Sequence, residues 1–553
     1  MKIIAAAILL VFTALAFDAA RRDAPTYDEA LHIASGYSYL KTGRYWMDVD
    51  HPPLGRVILA APLLALAPEV DTNDPAWRQR LRYEFADAFF YRNTVAPERL
   101  LLAARLMAIA MGVLLGVLLW AWANALFGPG AATAALLFYC FSPPVLAHAH
   151  LATNDMAVTS FYTLALYLFW KFMNAPSRGR AAAAGAAFAA ALAVKFSAVI
   201  LLPTYAGLFL WEWRSDPTRA RRAVMLLPWC AAAAFVAILF AYGIVEWRVF
   251  VDGLGRISSN VALGRSSFLL GRYSDAGWPH YFVAAFLLKT PAAFLALLGL
   301  SLGTFRRWRR REFLLAWVYG ASALFVLVAS MSKVQIGHRH ILPVYPLLCL
   351  ALGEAAHRLW RERAGKPAVA VLCAWIALAA AWAHPHHIAY FNELSGGSRN
   401  GLFYLSDSNL DWGQELKALG SYARERGVGA IYLSYFGTAD PRAYGVRHVP
   451  VLSVGNVPRP SEAGVSLHGE REVLLAVSAT NLQGVYYRDR GMFAWLRERR
   501  PAKVLGHSLF VYDLTGDAEA HERLAKIFSE AGLPGNAALE RRWADELRRP
   551  SAP

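Results

Sequence analysis

Along the chain, long apolar blocks alternate with short polar, mostly basic segments as far as about residue 383; beyond that the apolar runs shorten. Eleven blocks read as membrane-spanning helices: 3–20, 99–123, 131–147, 156–173, 181–195, 197–212, 223–245, 281–303, 312–331, 341–357 and 367–383. A helix of about 17–25 apolar residues crosses a bilayer core. The stretch 181–212 is read as a hairpin of two short spans. As one helix it places Lys195 in mid-membrane, which is expensive. Its flanks, 171–180 and 213–222, are both basic, so a hairpin keeps both on one side and lifts Lys195 to the opposite end.

Charge then orients the spans. The segments 171–180, 213–222, 304–311 and 358–366 hold 3, 4, 5 and 4 Lys or Arg, whereas 148–155 holds none and 332–340 holds two. Cytoplasmic loops carry the excess of Lys and Arg, so the N-terminus is expected inside and the C-terminus outside. Met1–Lys2 and the apolar run Ile3–Phe17 are read as an uncleaved first span, because Asp18 and two arginines replace a small-residue cleavage site. Two larger outer regions result, the loop 18–98 and the tail. The tail shows β-rich runs at Ala430–Phe436, Val473–Val477 and Val504–Tyr512, and polar helices at 412–426 and 518–531. Short strands between helices predict a small α/β domain. The expected fold is therefore a polytopic α-helical membrane protein of about eleven spans, residues 1–390, with a C-terminal extracytoplasmic α/β domain, 391–553.

Composition agrees and narrows the classes. Of 553 residues, 57% are apolar and 17% charged, and the mean hydropathy is +0.32. A disordered chain needs the opposite balance. The net charge of +16 is not read as nucleic-acid binding, because the cations cluster between apolar blocks, as in 306–311 (RRWRRR). The four cysteines, Cys140, Cys230, Cys349 and Cys373, all lie in apolar blocks, so neither a disulfide framework nor a CxxC metal site is present.

Candidate chemistry gathers at one membrane face. Ten of the fifteen histidines fall there: His32, His51, His148, His150, His280, His338, His340, His384, His386 and His387. The first loop opens with Thr26-Tyr27-Asp28-Glu29, where Thr26 or Asp28 also suits a helix cap. His51-Pro52-Pro53-Leu54-Gly55-Arg56 follows, with Pro53 suited to a helix start. Asn154 and Asp155 begin a span, Lys195 sits at the hairpin tip, and Gly337-His338-Arg339-His340 opens another span. An acidic pair, a further acid and several cations at one face suit transfer on a lipid-linked phosphate. A carboxylate accepts the proton of an acceptor hydroxyl, and cations stabilise the leaving phosphate.

The order of these motifs, Asp28-Glu29, then HPPLGR, then Asn154-Asp155, then Arg339 before Leu342-Pro343-x-Tyr345-Pro346, resembles the GT-C membrane glycosyltransferases of the protein O-mannosyltransferase type (family 39). It is also similar to the bacterial lipid A aminoarabinose transferases. HPPLGR matches the HPPLGK of the O-mannosyltransferases, with Arg56 for lysine. The resemblance covers roughly residues 1–390 and implies an inverting transfer of a sugar from a polyprenyl-phosphate carrier to an acceptor hydroxyl or phosphate. It implies the periplasmic face of a bacterial inner membrane. The partners it implies are the carrier-linked donor, membrane lipid, and an acceptor that is a protein, lipid or glycan. Asp28 matches the essential aspartate, Glu29 its companion and Asp155 the second acid; Lys195 and Arg339 fall where cations sit near the lipid phosphate. With His51, Arg56, His338 and His340 these form the expected site.

In the tail, Asp407-Ser408-Asn409-Leu410-Asp411-Trp412-Gly413-Gln414 looks like a recurring segment of bacterial family members. Asp411 and Gln414 have the spacing of a capping box for 412–426. That leaves Asp407 and Asn409 to line an acceptor groove. Other classes compatible with many spans are a transporter or flippase and a non-catalytic envelope assembly protein. Sugar, acceptor and dependence on a divalent cation stay open at this level.

Overall fold

The computed structural model describes residues 1–304, 310–455, 467 and 470–549. All eleven apolar blocks are helical. Among the described residues, six helices are long and apolar enough to cross a membrane: Lys2–Arg22, Pro97–Phe127, Asn154–Asn174, Phe196–Ser215, Arg311–Ser330 and Gly365–Ala383. Three bent pairs bring the number to nine. Arg178–Val194 and Val344–Arg361, the remaining two blocks, are helices of 17 and 18 residues that fall short of that standard. The chain is a multi-pass, helical membrane protein. The basic segment 304–311 lies partly outside the described residues.

The bends have local causes. Pro129–Cys140 and Pro143–Ala149 meet at 67° where Ser142 precedes two prolines, and the residue before a proline disfavours helix. Tyr281–Lys289 and Ala292–Thr304 meet at 115° across Thr290-Pro291. At the hairpin tip Lys195 is extended, with φ −155° and ψ 130°, between Arg178–Val194 and the 3-10 turn Phe196–Ile200. Small residues let these helices approach closely. A Cβ on Gly185 would meet the Cys230 carbonyl oxygen at 2.0 Å, and one on Gly55 the Asn154 Oδ1 at 2.6 Å.

Outside the spans, β1 (Ser267–Leu269) and β2 (Arg272–Ser274) form an antiparallel hairpin. The tail holds β3 (Ile431–Ser434), β4 (His448–Pro450), β5 (Leu474–Ser478), β6 (Lys503–Leu505) and β7 (Leu509–Asp513) in one sheet, ordered β4-β3-β5-β7-β6. The first two pairings are parallel and the last two antiparallel. Strands β3 and β5 are buried along their whole length, which fits a sheet covered on both faces. The expected run 504–512 is a hairpin turning at Gly506 and His507, whose φ are +49° and +60°. Helices Ala518–Glu530 and Pro534–Arg548 cover one face; there Phe528 lies 6.1 Å from Tyr432, whose hydroxyl donates to Glu540.

The tail is stitched to the first loop by backbone. Ala24 N–H donates to Gln414 O at 2.8 Å, and Tyr27 N–H to Trp412 O at 2.9 Å. These bonds set the residue before Asp28 against the tail segment that follows Asp411.

Candidate functional site

Arg339 is the centre of the site. It lies in a 3-10 turn, His338–Ile341, just before the helix Val344–Arg361. Its Nη1 lies 3.4 Å from Asp28 Oδ2 and 3.3 Å from Asp155 Oδ2, so one nitrogen bridges two carboxylates. Asp155 offers its other oxygen to Lys195 Nζ at 2.6 Å and receives the Thr153 hydroxyl at 3.2 Å. The guanidinium is fixed from the tail: Nε donates to Ser408 Oγ at 3.0 Å, and the plane lies 4.1 Å over the Trp412 ring. Four segments distant in sequence thus meet at one point: the first loop, the start of Asn154–Asn174, the hairpin tip and the tail.

The two acids differ in access. The Asp28 side chain is 24% exposed and that of Asp155 only 1%. Asp28 occupies the N-cap position of helix Glu29–Thr42 but makes no capping bond; it turns to Arg339 instead. Asp155 likewise caps nothing and faces two cations. Beside them, burial and then the charges of Lys195 and Arg339 hold the His340 imidazole well below its usual range. Its ring stacks on Phe282, 6.1 Å between centroids.

Several expected site residues lie outside this cluster. Glu29 is fully buried and paired side by side with Arg105, Oε1 on Nε at 2.8 Å and Oε2 on Nη2 at 2.6 Å. It also accepts from Thr26 N–H at 2.8 Å and Ala152 N–H at 2.7 Å. Although burial opposes it, the Arg105 guanidinium holds the Glu29 carboxyl below its ordinary range. Both oxygens of Glu29, expected as a companion of Asp28, are thus engaged within the fold. Arg56 is also fully buried, bound to the Asp48 carboxylate and carbonyl, to His32 Nδ1 at 2.9 Å and to Tyr39 OH at 3.3 Å. It is thus held by protein groups with no exposed surface. His51 lies 3.6 Å from the same Asp48 carboxylate. His338 donates its N–H to Asn409 Oδ1 at 2.8 Å, and its Nε2 lies 3.0 Å from Tyr345 OH.

Asp407 and Asn409, expected at an acceptor groove, are both buried and support the turn that carries Arg339. Asp407, with φ +55°, receives the Tyr486 hydroxyl and Ser408 N–H. Burial raises its carboxyl above the ordinary range, opposed by Tyr486, Arg339 and Arg265. Asn409 Nδ2 donates to Tyr281 OH at 3.0 Å. The expected capping box is also absent. The helix begins at Leu416, and Asp411 instead receives Gly413 N–H at 3.3 Å and Thr480 N–H at 3.0 Å. Burial pushes its carboxyl up to about 7.

Sequence reasoning missed Arg105, Asp48, Lys289, Ser408 and Trp412. Arg105 and Lys289 carried a usable signal, since each is an ionisable residue inside an apolar block. Lys289 is buried at the 115° break and donates to Ile388 O at 2.8 Å and Asn409 O at 2.5 Å, tying tail to spans. Among the described residues, no group of three or more His, Cys, Asp or Glu is placed to hold a metal ion.

Residues 98–245 match the family model described as dolichyl-phosphate-mannose-protein mannosyltransferase. The fold is similar to that of ArnT from Cupriavidus metallidurans in the apo state, with a TM-score of 0.50 and 13% identity over 92% of this chain and 97% of that one. The same protein in a structure bound to undecaprenyl phosphate aligns with a TM-score of 0.47 and 15% identity, again over 92% and 97%. No curated protein matches the chain by sequence. The family model and the fold agree with the GT-C resemblance carried by the motifs.

Proposed function

We propose that the chain is an inverting glycosyltransferase of the GT-C type, moving a sugar from a polyprenyl-phosphate carrier to an acceptor at the outer face of the membrane. The observation that carries this reading is the bridging of Asp28 and Asp155 by one nitrogen of Arg339, with Lys195 on the far oxygen of Asp155. The description of the matched family, which names a polyprenol-type phosphate donor, supports it.

The roles follow from access and charge. Asp28, the more exposed acid, accepts the proton of the acceptor hydroxyl. The acceptor oxygen bonds to the anomeric carbon as the bond from that carbon to the phosphate oxygen breaks, and the polyprenyl phosphate leaves with the electron pair. Lys195 and Arg339 take up its charge, which counts for more where water is scarce. Arginine offers a planar fork to the phosphate and lysine a point charge. Asp155 is too enclosed to meet an acceptor; it holds the two cations together before the donor arrives. In this reading the site faces the periplasm of a bacterial inner membrane, which the excess of Lys and Arg in the opposite segments supports, and the tail beyond about residue 390 faces the acceptor.

The test is a transfer assay in membranes containing the full chain, with a panel of undecaprenyl-phosphate sugars and the disappearance of each donor followed. One donor is consumed with release of undecaprenyl phosphate. Survival of every donor, with the protein present and folded, overturns the reading.

A further inference from the structure

A cavity of about 600 Å³ lies between the β1–β2 hairpin and the tail. Phe268, Leu270, Tyr273, Phe403, Arg490 and Arg497 line it. Arg490 lies 4.8 Å over the Tyr273 ring and donates to Ser266 Oγ at 3.3 Å. Arg497 donates to Gln483 Oε1 at 2.8 Å and Tyr273 OH at 3.4 Å. Both guanidiniums are thus held in place largely by neutral groups. The carboxylate that meets Arg490, Asp275 at 3.1 Å, has a side chain 75% exposed. Such a surface pair contributes little and exchanges readily for another anion. Leu270 and Phe403, exposed large apolar side chains, form the lip.

The cavity connects to the Arg339 cluster through the chain behind its walls. Leu270 N–H donates to Tyr404 O at 2.9 Å, and Leu269 bridges to Leu405. That strand-like stretch runs straight into Asp407 and Ser408, and Ser408 holds Arg339. On the other wall Tyr486, four residues before Arg490, donates to Asp407. Arg265, next to Ser266, stands close enough for its charge to act on Asp407 and Tyr486. Arg265 thus adds a further positive charge near Asp407, the residue before Ser408.

We infer that this cavity is a second subsite, which holds a phosphate or carboxylate at the remote end of the acceptor while the reacting hydroxyl lies at Asp28. Naming the occupant an acceptor rests on the transferase reading; the anion site itself does not. Two guanidiniums on one wall suit an oxyanion, since each presents a rigid fork of donors. The apolar lip suits the uncharged part of the same molecule.

The experiment is a ligand-observed NMR titration of the purified full chain in detergent with glucose 6-phosphate, glucuronate and glucose. At least one anionic sugar binds tenfold or more tightly than glucose, and which of the two does so separates phosphate from carboxylate. The double variant Arg490→Gln with Arg497→Gln weakens that binding at least tenfold. So does Gly491→Leu, which fills the cavity without removing a cation. A Cβ there meets Asp489 Oδ1 at 3.1 Å, the end of a side chain that can shift, and the thermal unfolding midpoint of the variant checks that it folds. Equal binding of glucose, no binding of either anion, or binding untouched by both cavity changes overturns the proposal. Intact anion binding beside a failed transfer assay sinks the transferase reading alone.

Discussion

Lys195 and Arg339, 144 residues apart in sequence, grip opposite oxygens of the single carboxylate of Asp155, at 2.6 and 3.3 Å. The pairing keeps two cations adjacent, as the proposed phosphate leaving group requires. Truncating either, Lys195→Ala or Arg339→Ala, is expected to weaken donor use by about 10- to 100-fold, the range for a charge-assisted bond of about 1.5–3 kcal/mol. The double variant should be no worse than the more damaged single, because the two act as one unit. Independent, multiplying losses in donor KM show instead that the cations serve different groups. Arg339→Lys should not restore function, since lysine cannot keep both the Ser408 bond and the stacking on Trp412.

Glu29→Ala should damage the fold before the chemistry. It strands Arg105 in a site with no exposed surface, where it also donates to the carbonyls of Ala20, Asp23 and Ala24. Breaking a buried pair by removing one partner costs about 3–5 kcal/mol. The thermal unfolding midpoint in detergent should fall sharply, and activity should fall with it. A midpoint unchanged with activity abolished would return Glu29 to a catalytic place.

Asp411 gives the tail a pH dependence of definite sign. Its folded carboxyl titrates near 7, against about 3.9 for an aspartate in an unfolded chain. The folded state therefore holds the proton that the unfolded state has lost, and stability falls as pH rises from about 4 to about 7. Hydrogen exchange in β5 and the residues after it should show less protection at pH 8 than at pH 5. Asp411→Asn removes that slope; its cost, about 1–3 kcal/mol because one of its two N–H partners is left unpaired, is fullest near pH 4 and shrinks as pH rises towards 7. A slope that persists in the variant assigns the effect to another group.

Topology is tested by reporters. One fused after Pro553 should read as external and one inserted within 213–222 as cytoplasmic, as the excess of Lys and Arg requires. Both reporters on one side of the membrane contradict the number of spans, first at the hairpin around Lys195.

The sequence made the spans and the convergent cations legible, and the reasons are physical. Lys195 could not sit in mid-membrane, so the apolar block around it had to break there, and the chain is extended at that residue. Arg339 beside a proline-rich span start pointed to an end of a helix. Local pattern does not show which acids face which cations. Asp28 and Glu29 are neighbours, yet one meets Arg339 and the other Arg105, 76 residues on, a choice made by packing alone. Asp411 misled in the same way: its spacing from Gln414 suits a helix cap, but Gly413, at φ +90°, turns the chain first and the helix starts later.

The measurement closest to the central claim is turnover of Asp28→Asn in the donor assay. Asp28 contributes its negative charge to the site without making a capping bond, so the variant should accumulate and unfold like the native protein. Its transfer rate should drop by about 10²–10⁴-fold, the usual contribution of a general base. A folded Asp28→Asn protein that transfers sugar at near-normal rate contradicts the account, and leaves the carboxylate as no more than a partner of Arg339.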